Sequence, residues 1–296
     1  LKAVFEPLTK CSCRLEAPVE TVLGHALRVS LAGRPGPVHV EWPPDLPTTA
    51  GTADREAPPG APDAPESEDG DAAGRLTSTD SSTLEQLLAA ARKPLLIAGL
   101  GSRTTRDAEA IRAFCERRSI PAMVTYKAKG VVPDGHPLFA GVFTNATLEQ
   151  SLLREADLII AAGLDPVELI PRPWTMTAPV VYCGVWPVPT DHLPVAVQLL
   201  MDVAAGIGEI DGMLVRSDWT REQVSRNVVD QRQQILPPAS GLTAQQVIQV
   251  AASRLAASSR VTVDAGAHMF PATMLWPVRE PNGMLISNGL STMGFA

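Results

Sequence analysis

The sequence predicts an α/β protein built from doubly wound parallel-sheet units, and three observations carry that prediction. Short apolar β runs alternate with amphipathic helical stretches across most of the chain. The runs are continuous rather than alternating apolar and polar, as strands buried on both faces require. A single stretch, TTAGTADREAPPGAPDAPESEDGDAAGRLTSTDSS, is almost free of large apolar residues and separates a short leading segment from a longer second unit.

The leading segment reads as a helix, VETVLGHALRVSL, then the turn AGRPGP, then the strand VHVEWP, which is the closing unit of a parallel sheet. About 45 residues bury little core, so this unit is expected to pack on something more. After the linker come helix SSTLEQLLAAAR, strand PLLIAGL, helix RDAEAIRAFCERR, strand PAMVTY, helix LEQSLLREA, strands DLIIAAG, PVVYCGV and VAVQLLM, and helix DVAAGIGEIDGML. This pattern predicts a doubly wound sheet over residues 83–215. A polar helical stretch, SDWTREQVSRNVVDQRQQIL, then crosses to a helix opened by Thr243 and to the strands RVTVDAG and MLIS, which begin a third α/β unit.

Bulk composition narrows the function classes. With 296 residues, 45% hydrophobic and 19% charged, the chain can bury a sizeable core. Its net charge of −7, with basic residues scattered, argues against nucleic-acid and anionic-membrane partners. No apolar run approaches the roughly 18–20 residues that span a bilayer, and the start lacks a secretory signal, so a cytoplasmic location is expected. Cys11, Cys13, Cys115 and Cys183 fit neither a zinc knuckle nor a disulfide framework and are read as reduced thiols.

Three glycine-bearing turns are candidate sites. GLGSRTT offers Gly99, Gly101, Ser102 and Arg103 between a strand and a helix, where backbone amides can hold a phosphate. The dinucleotide fingerprint needs a third glycine where Thr104 stands, so a plain strand-to-helix turn competes with a nucleotide site of FAD type. In DAGAH, Gly266, Ala267 and His268 follow a strand's C-terminal end, where open sheets bind ligands; the alternative is a turn histidine satisfied locally. SNGLSTMGFA, with Ser291 and Met293, is either a ligand-facing loop or a helix start with a core methionine. His25, His39, His136 and His192 sit at no telling spacing from a second base or nucleophile and are read as structural.

These fragments line up with a family. Phe5, Pro7, Leu8, Thr9, Lys10, Ser12 and Arg14, followed by AGRPGPVHVEWPPD over residues 32–45, resemble the end of the pyrimidine-binding domain of thiamin-diphosphate (ThDP)-dependent enzymes of the acetolactate synthase type. YKAKGVVPDGHPLFAG and EADLIIAAG resemble that family's central domain, and DAGAH with SNGLSTMGFA resembles the start of its diphosphate-binding domain. The resemblance implies the division 1–48 (end of pyrimidine domain), 49–82 (linker), 83–215 (central domain), 216–240 (connection) and 241–296 (start of diphosphate domain).

It also implies ThDP and Mg²⁺ as cofactors, with the ThDP bent between two subunits of a homodimer or homotetramer. Carried over by position, Gly266, Ala267 and His268 contact the diphosphate, Ser291 presents its carbonyl to the pyrimidine amino group, and Met293 wedges between the rings. The implied reaction is decarboxylation and carboligation of pyruvate or a related 2-oxo acid. Alternatives are a simple 2-oxo-acid decarboxylase or C–C lyase and, from another class, a non-catalytic nucleotide-binding or oligomerisation module. The family's activating glutamate would lie before Leu1 and its magnesium motif, Gly-Asp-Gly with a later Asn, after Ala296. A partial chain with no catalytic or metal-ligating residue of its own, and with little activity, is therefore expected. Flavin-containing relatives carry an Arg-Phe-Asp-Asp-Arg-like stretch where this chain reads GLDPVELIPRPW, which leaves FAD in doubt.

Overall fold

The computed structural model describes residues 2–16, 18–44, 78–236, 241–256, 258–287, 294 and 296, in two compact units divided between Gly74 and Arg75. Among the described residues no helix is long and apolar enough to cross a membrane.

The first unit opens with α1 (Lys2–Phe5) and holds β1 (Ser12–Arg14), α2 (Val19–Leu31) and β2 (His39–Glu41). β1 and β2 pair in parallel, with Ser12 opposite His39 and Arg14 opposite Glu41. The turn after α2 is stabilised by the motif that precedes β1. Lys10 Nζ donates to the carbonyls of Ala32 and Arg34, and the lysine stem lies against Gly36, leaving no room for a side chain there. The two stretches that carried the family resemblance in this segment therefore interlock through one cation at a helix C-terminus.

The second unit begins with α3 (Ser78–Ala90), which starts ahead of the predicted helix at Ser81 because Ser, Thr and Asp, read as linker, form its first turn. Then follow β3 (Pro94–Ala98), α4 (Thr105–Arg118), β4 (Ala122–Thr125), β5 (Phe139–Phe143), α5 (Gln150–Glu155), β6 (Leu158–Ala162), β7 (Val180–Gly184), β8 (Val195–Leu200), α6 (Val203–Met213) and α7 (Arg221–Gln234). The six strands form one parallel sheet in the order β5-β4-β3-β6-β7-β8. Counted within the sheet this is 3-2-1-4-5-6, the doubly wound arrangement whose order reverses between β3 and β6.

Every residue of β3 through β7 is buried, which explains their unbroken apolar runs. One face packs Leu84 and Leu88 of α3, Ile111 and Phe114 of α4 and Ile207 and Ile210 of α6. The other packs Leu152 and Leu153 of α5 with Val224 of α7 and Trp219. Each such side chain, nearly solvent-free, contributes roughly 1.5–3 kcal/mol of transfer free energy. Trp219 is fixed further by donating Nε1–H to the Pro94 carbonyl at 2.8 Å.

Two strands went unread in the sequence, β1 and β5. β5 contains Gly141 at φ +106, and its partner β4 shifts register between Ala122 and Val124. A Cβ on Gly141 would overlap the Gln231 side chain of α7, so a break in the strand signal is what lets that helix close on the sheet edge.

The chain continues in the same unit with α8 (Ala244–Arg254), β9 (Val261–Val263), α9 (Met269–Leu275) and β10 (Met284–Ile286). Thr243 caps α8 in a box with Gln246. β9 and β10 pair in parallel, Val261 opposite Met284 and Val263 opposite Ile286.

Candidate functional site

Asp264 is the first residue beyond β9, and the exposed turn Gly266-Ala267-His268 follows. The Gly266 carbonyl accepts the Met269 amide and the His268 carbonyl accepts the Ala272 amide, both at 3.0 Å, which closes the turn into α9. Gly266 has φ +157, and a Cβ there would stand 2.9 Å from His268 Cε1. Glycine thus leaves the imidazole its position over the turn.

Asp264 joins this turn to the chain's last segment. Its Oδ2 accepts the Gly294 amide at 3.0 Å and its Oδ1 the Ala296 amide at 2.9 Å. Two backbone amides on one carboxylate are charge-assisted bonds and hold the two loops together. Asp264 and the described residues Gly294 and Ala296 therefore meet beyond the C-terminal end of β9. Asp264 lay in the quoted motif with no role assigned to it. Ser291 and Met293 lie outside the described residues.

The loop between α9 and β10 is seated on YKAKGVVPDG. Lys129, whose side chain is fully buried, pairs with the equally enclosed Asp134 at 2.8 Å. The second Asp134 oxygen accepts the Val278 amide at 2.9 Å, between α9 and β10. Gly130, at φ +90, passes so close to the Glu280 carbonyl that a Cβ would overlap it. Arg112 donates Nε to Val131 O and Nη2 to Gly130 O, each at 2.7 Å. With Ala128, Val131, Trp276, Val278, Met284 and Ile286 in one apolar cluster, the motif brackets the β9–β10 segment against the central sheet.

At the order reversal between β3 and β6 the second candidate turn is closed. The Gly99 amide donates to Ala162 O at 2.9 Å, Leu100 to Glu168 Oε1 at 2.7 Å, Gly101 to Gly163 O at 2.8 Å and Ser102 to Gly99 O at 3.0 Å. Arg103 Nε donates to Leu100 O at 3.2 Å, and burial lowers its pKa. Of the four residues read as a possible phosphate cradle, all serve bonds inside the protein.

Glu168 organises this closure. It is solvent-free, and it also accepts the Thr125 hydroxyl and, at 3.2 Å, the Asp165 amide. Burial pushes its carboxyl up to about 7 against these three stabilising donors. The sequence signal for Glu168 was the capping-box spacing Asp165 to Glu168 in GLDPVE.

Of the four histidines read as structural, His39 and His136 have local hydrogen-bond partners. His39 Nδ1 bonds Ser12 Oγ at 2.8 Å and its ring stacks on Phe5, and His136 Nε2 lies 3.1 Å from Glu116. Among the described residues, no group of three or more His, Cys, Asp or Glu converges as a metal site.

Comparison with known proteins places these elements. Residues 82–209 match the thiamine pyrophosphate enzyme central domain. The chain is 28% identical to the catabolic acetolactate synthase of Raoultella terrigena, over 99% of this chain and 54% of that protein. It is 25% identical to the acetolactate synthase large subunit of Lactococcus lactis, over 99% and 52%, and 27% identical to oxalyl-CoA decarboxylase of Escherichia coli, over 76% and 39%. The chain spans about half the length of the acetolactate synthases it matches. Residues 82–209 are thus a thiamine pyrophosphate enzyme central domain, and the similarity to acetolactate synthases runs along both of its flanks.

Proposed function

We propose that this chain forms part of a ThDP-dependent enzyme that decarboxylates pyruvate or a related 2-oxo acid and transfers the resulting carbon unit to a second carbonyl, as an acetolactate synthase does. The observation that carries the proposal is the convergence of DAGAH and the last segment on Asp264. Residues 241–296 then form the start of a diphosphate-binding domain beside the central domain 83–215 and the connection 216–240. Residues 1–48, followed by the linker 49–82, form the end of a pyrimidine-binding domain.

The turn fits a diphosphate. Gly266, Ala267 and His268 are exposed, glycine keeps a Cβ out of the cradle, and the nearest carboxylate, Asp264, is engaged with two amides. In this reading the Gly266 and Ala267 backbone approaches the diphosphate and His268 donates a hydrogen bond to it. By the family resemblance, Ser291 and Met293 would serve the pyrimidine and thiazolium rings. Bound ThDP supplies the electron sink that accepts the pair released with carbon dioxide. Magnesium would supply positive charge to the bound diphosphate, and among the described residues no group of three or more His, Cys, Asp or Glu could hold it, so we expect weak ThDP affinity and little turnover from these 296 residues. The assembly is proposed to be a homodimer or homotetramer in the cytoplasm. Because the amides of Gly99, Leu100, Gly101 and Ser102 are engaged internally, the switch-point turn is read as structural rather than as an FAD site.

The identity to oxalyl-CoA decarboxylase favours a second reading, decarboxylation or C–C cleavage without carboligation. Product analysis with pyruvate on the enzyme together with whatever flanks it separates the two. Acetolactate supports the synthase reading, acetaldehyde alone supports the decarboxylase, and no ThDP-dependent product supports a non-catalytic module. Calorimetric titration of the 296-residue chain with ThDP and Mg²⁺ checks the metal argument: a tight stoichiometric isotherm would overturn it.

A further inference from the structure

Cys11 and Cys13 stand two residues apart on the extended segment that carries β1 in the first unit. Its ladder with β2 runs past both ends of that strand. The Lys10 amide donates to Pro37 O at 2.8 Å, the His39 amide to Cys11 O at 2.9 Å and the Leu15 amide to Glu41 O at 2.8 Å. Side chains alternate along such a segment, so Cys11, Cys13 and Leu15 share one face and Lys10, Ser12 and Arg14 the other. The two thiols are hydrogen-bonding neighbours, and both are half-buried.

The side chains beside the pair are apolar. Val40 is the register partner of Cys13, and Leu15, next on the same face, is buried. The Cys13 thiol also donates weakly to the His39 carbonyl at 3.7 Å. The His39 imidazole belongs to the opposite face, where Nδ1 bonds Ser12 Oγ at 2.8 Å and the ring stacks on Phe5. The Lys10 ammonium is spent on the carbonyls of Ala32 and Arg34. Among the described residues no third His, Cys, Asp or Glu joins the two thiols. Structural zinc takes four ligands, and hard cations take oxygens, so the pair suits neither. Two thiolates on an apolar face do suit a soft monovalent cation.

The spacing separates such an ion from a direct disulfide. Same-face positions two apart lie about 6.6 Å from each other along a strand. A disulfide needs its Cβ atoms about 3.5–4.5 Å apart, so closing one would pucker β1. One ion with two sulfur bonds of about 2.3 Å holds sulfurs up to about 4.6 Å apart and leaves the strand extended.

We propose that Cys11 and Cys13 form a two-coordinate site for a soft monovalent d10 cation, of the chemical class of Cu(I). On binding, each thiol gives its proton to the buffer, two sulfur–metal bonds form and no electron is transferred. The inference does not rest on the ThDP reading, and its test contains no ThDP.

The test is anaerobic titration of the 296-residue chain with Cu(I), held reduced by ascorbate, read by native mass spectrometry and by competition with a chromophoric Cu(I) chelator. One ion per chain is expected, and bound Cu(I) should slow iodoacetamide labelling of both Cys11 and Cys13 at least about tenfold. Cys11→Ser and Cys13→Ser are each expected to weaken Cu(I) at least about tenfold, since one of two thiolates is lost. Ser12→Ala removes a hydroxyl from the opposite face and should leave Cu(I) affinity unchanged. Zn²⁺ is expected to bind at least about tenfold more weakly than Cu(I). Thermal unfolding verifies that each variant folds, and the labelling of the native chain needs no variant. Absence of Cu(I) uptake, uptake that leaves either cysteine unprotected, Zn²⁺ binding as tightly as Cu(I), or Cu(I) affinity unchanged in both cysteine variants would overturn the proposal.

Discussion

Replacing Asp134 by alanine isolates the bracket that seats the β9–β10 segment. In the native protein Lys129 has no exposed side-chain surface and Asp134 almost none, and their atoms approach to 2.8 Å. Alanine leaves a buried ammonium without its counter-charge and the Val278 amide without the carboxylate oxygen 2.9 Å away. Breaking one side of a buried pair costs about 3–5 kcal/mol, mostly from the orphaned charge. For a unit of this size a kilocalorie moves Tm by about 2–4 °C, so a fall of roughly 6–20 °C is expected. Thermal unfolding by circular dichroism and tryptophan fluorescence reads it, Trp276 lying in the same cluster. Lys129→Met combined with Asp134→Leu removes both charges and is expected to recover more than half of the loss. A single variant that costs under about 1 kcal/mol, or a double variant no better than the single, would refute the bracket.

Three further outcomes follow from the same geometry. The Glu168 carboxyl titrates at about 7 when folded, above its ordinary 4.5, so the folded state holds the extra proton and the stability it brings is full below about 4.5 and lost as pH rises to about 7. At about 1.4 kcal/mol per pH unit, wild type should lose on the order of 3 kcal/mol relative to Glu168→Gln across that window, and parallel Tm–pH curves for the two would contradict this. Gly130→Ala forces a Cβ into the Glu280 carbonyl at φ +90 and should destabilise by at least about 2 kcal/mol in urea unfolding, whereas a neutral result would deny the close approach. Cys115 and Cys183 are buried with thiols pushed up to about 12, so iodoacetamide should label only Cys11 and Cys13 in the folded chain, as mass spectrometry would register.

Much of the fold was legible because parallel strands buried on both faces write themselves as continuous apolar runs. PLLIA, LIIAA and VVYCG carry little else, and they lie side by side in the sheet. FAGVF did not read as a strand because Gly141 interrupts it, and the reason for that glycine is the Gln231 side chain, some ninety residues away in sequence. SCR was too short and polar to signal β1, whose existence depends on pairing with His39–Glu41.

The site was legible in its glycines and less so in its acids. Gly266 marked a turn on local grounds. Asp264 and Asp134 act through amides far along the chain, and no local pattern announces such partners. The GLGSR turn shows the converse limit: it stands between a strand and a helix, where a phosphate cradle could form, yet Glu168 and Gly163, supplied by another strand's loop, occupy the amides of Leu100 and Gly101.

The central claim is that the turn after β9 receives the diphosphate of ThDP. Phosphorus NMR of ThDP with Mg²⁺, titrated with the 296-residue chain and with Gly266→Val up to concentrations of about a millimolar, where weak binding is still read, tests it directly. Valine at φ +157 is strained, so thermal unfolding must first show that the variant folds; its side chain then enters the cradle and displaces His268. We expect both phosphorus resonances to broaden or shift with the native chain and the effect to weaken at least about tenfold in the variant. Resonances that never respond, or that respond identically to the two chains, would contradict the account.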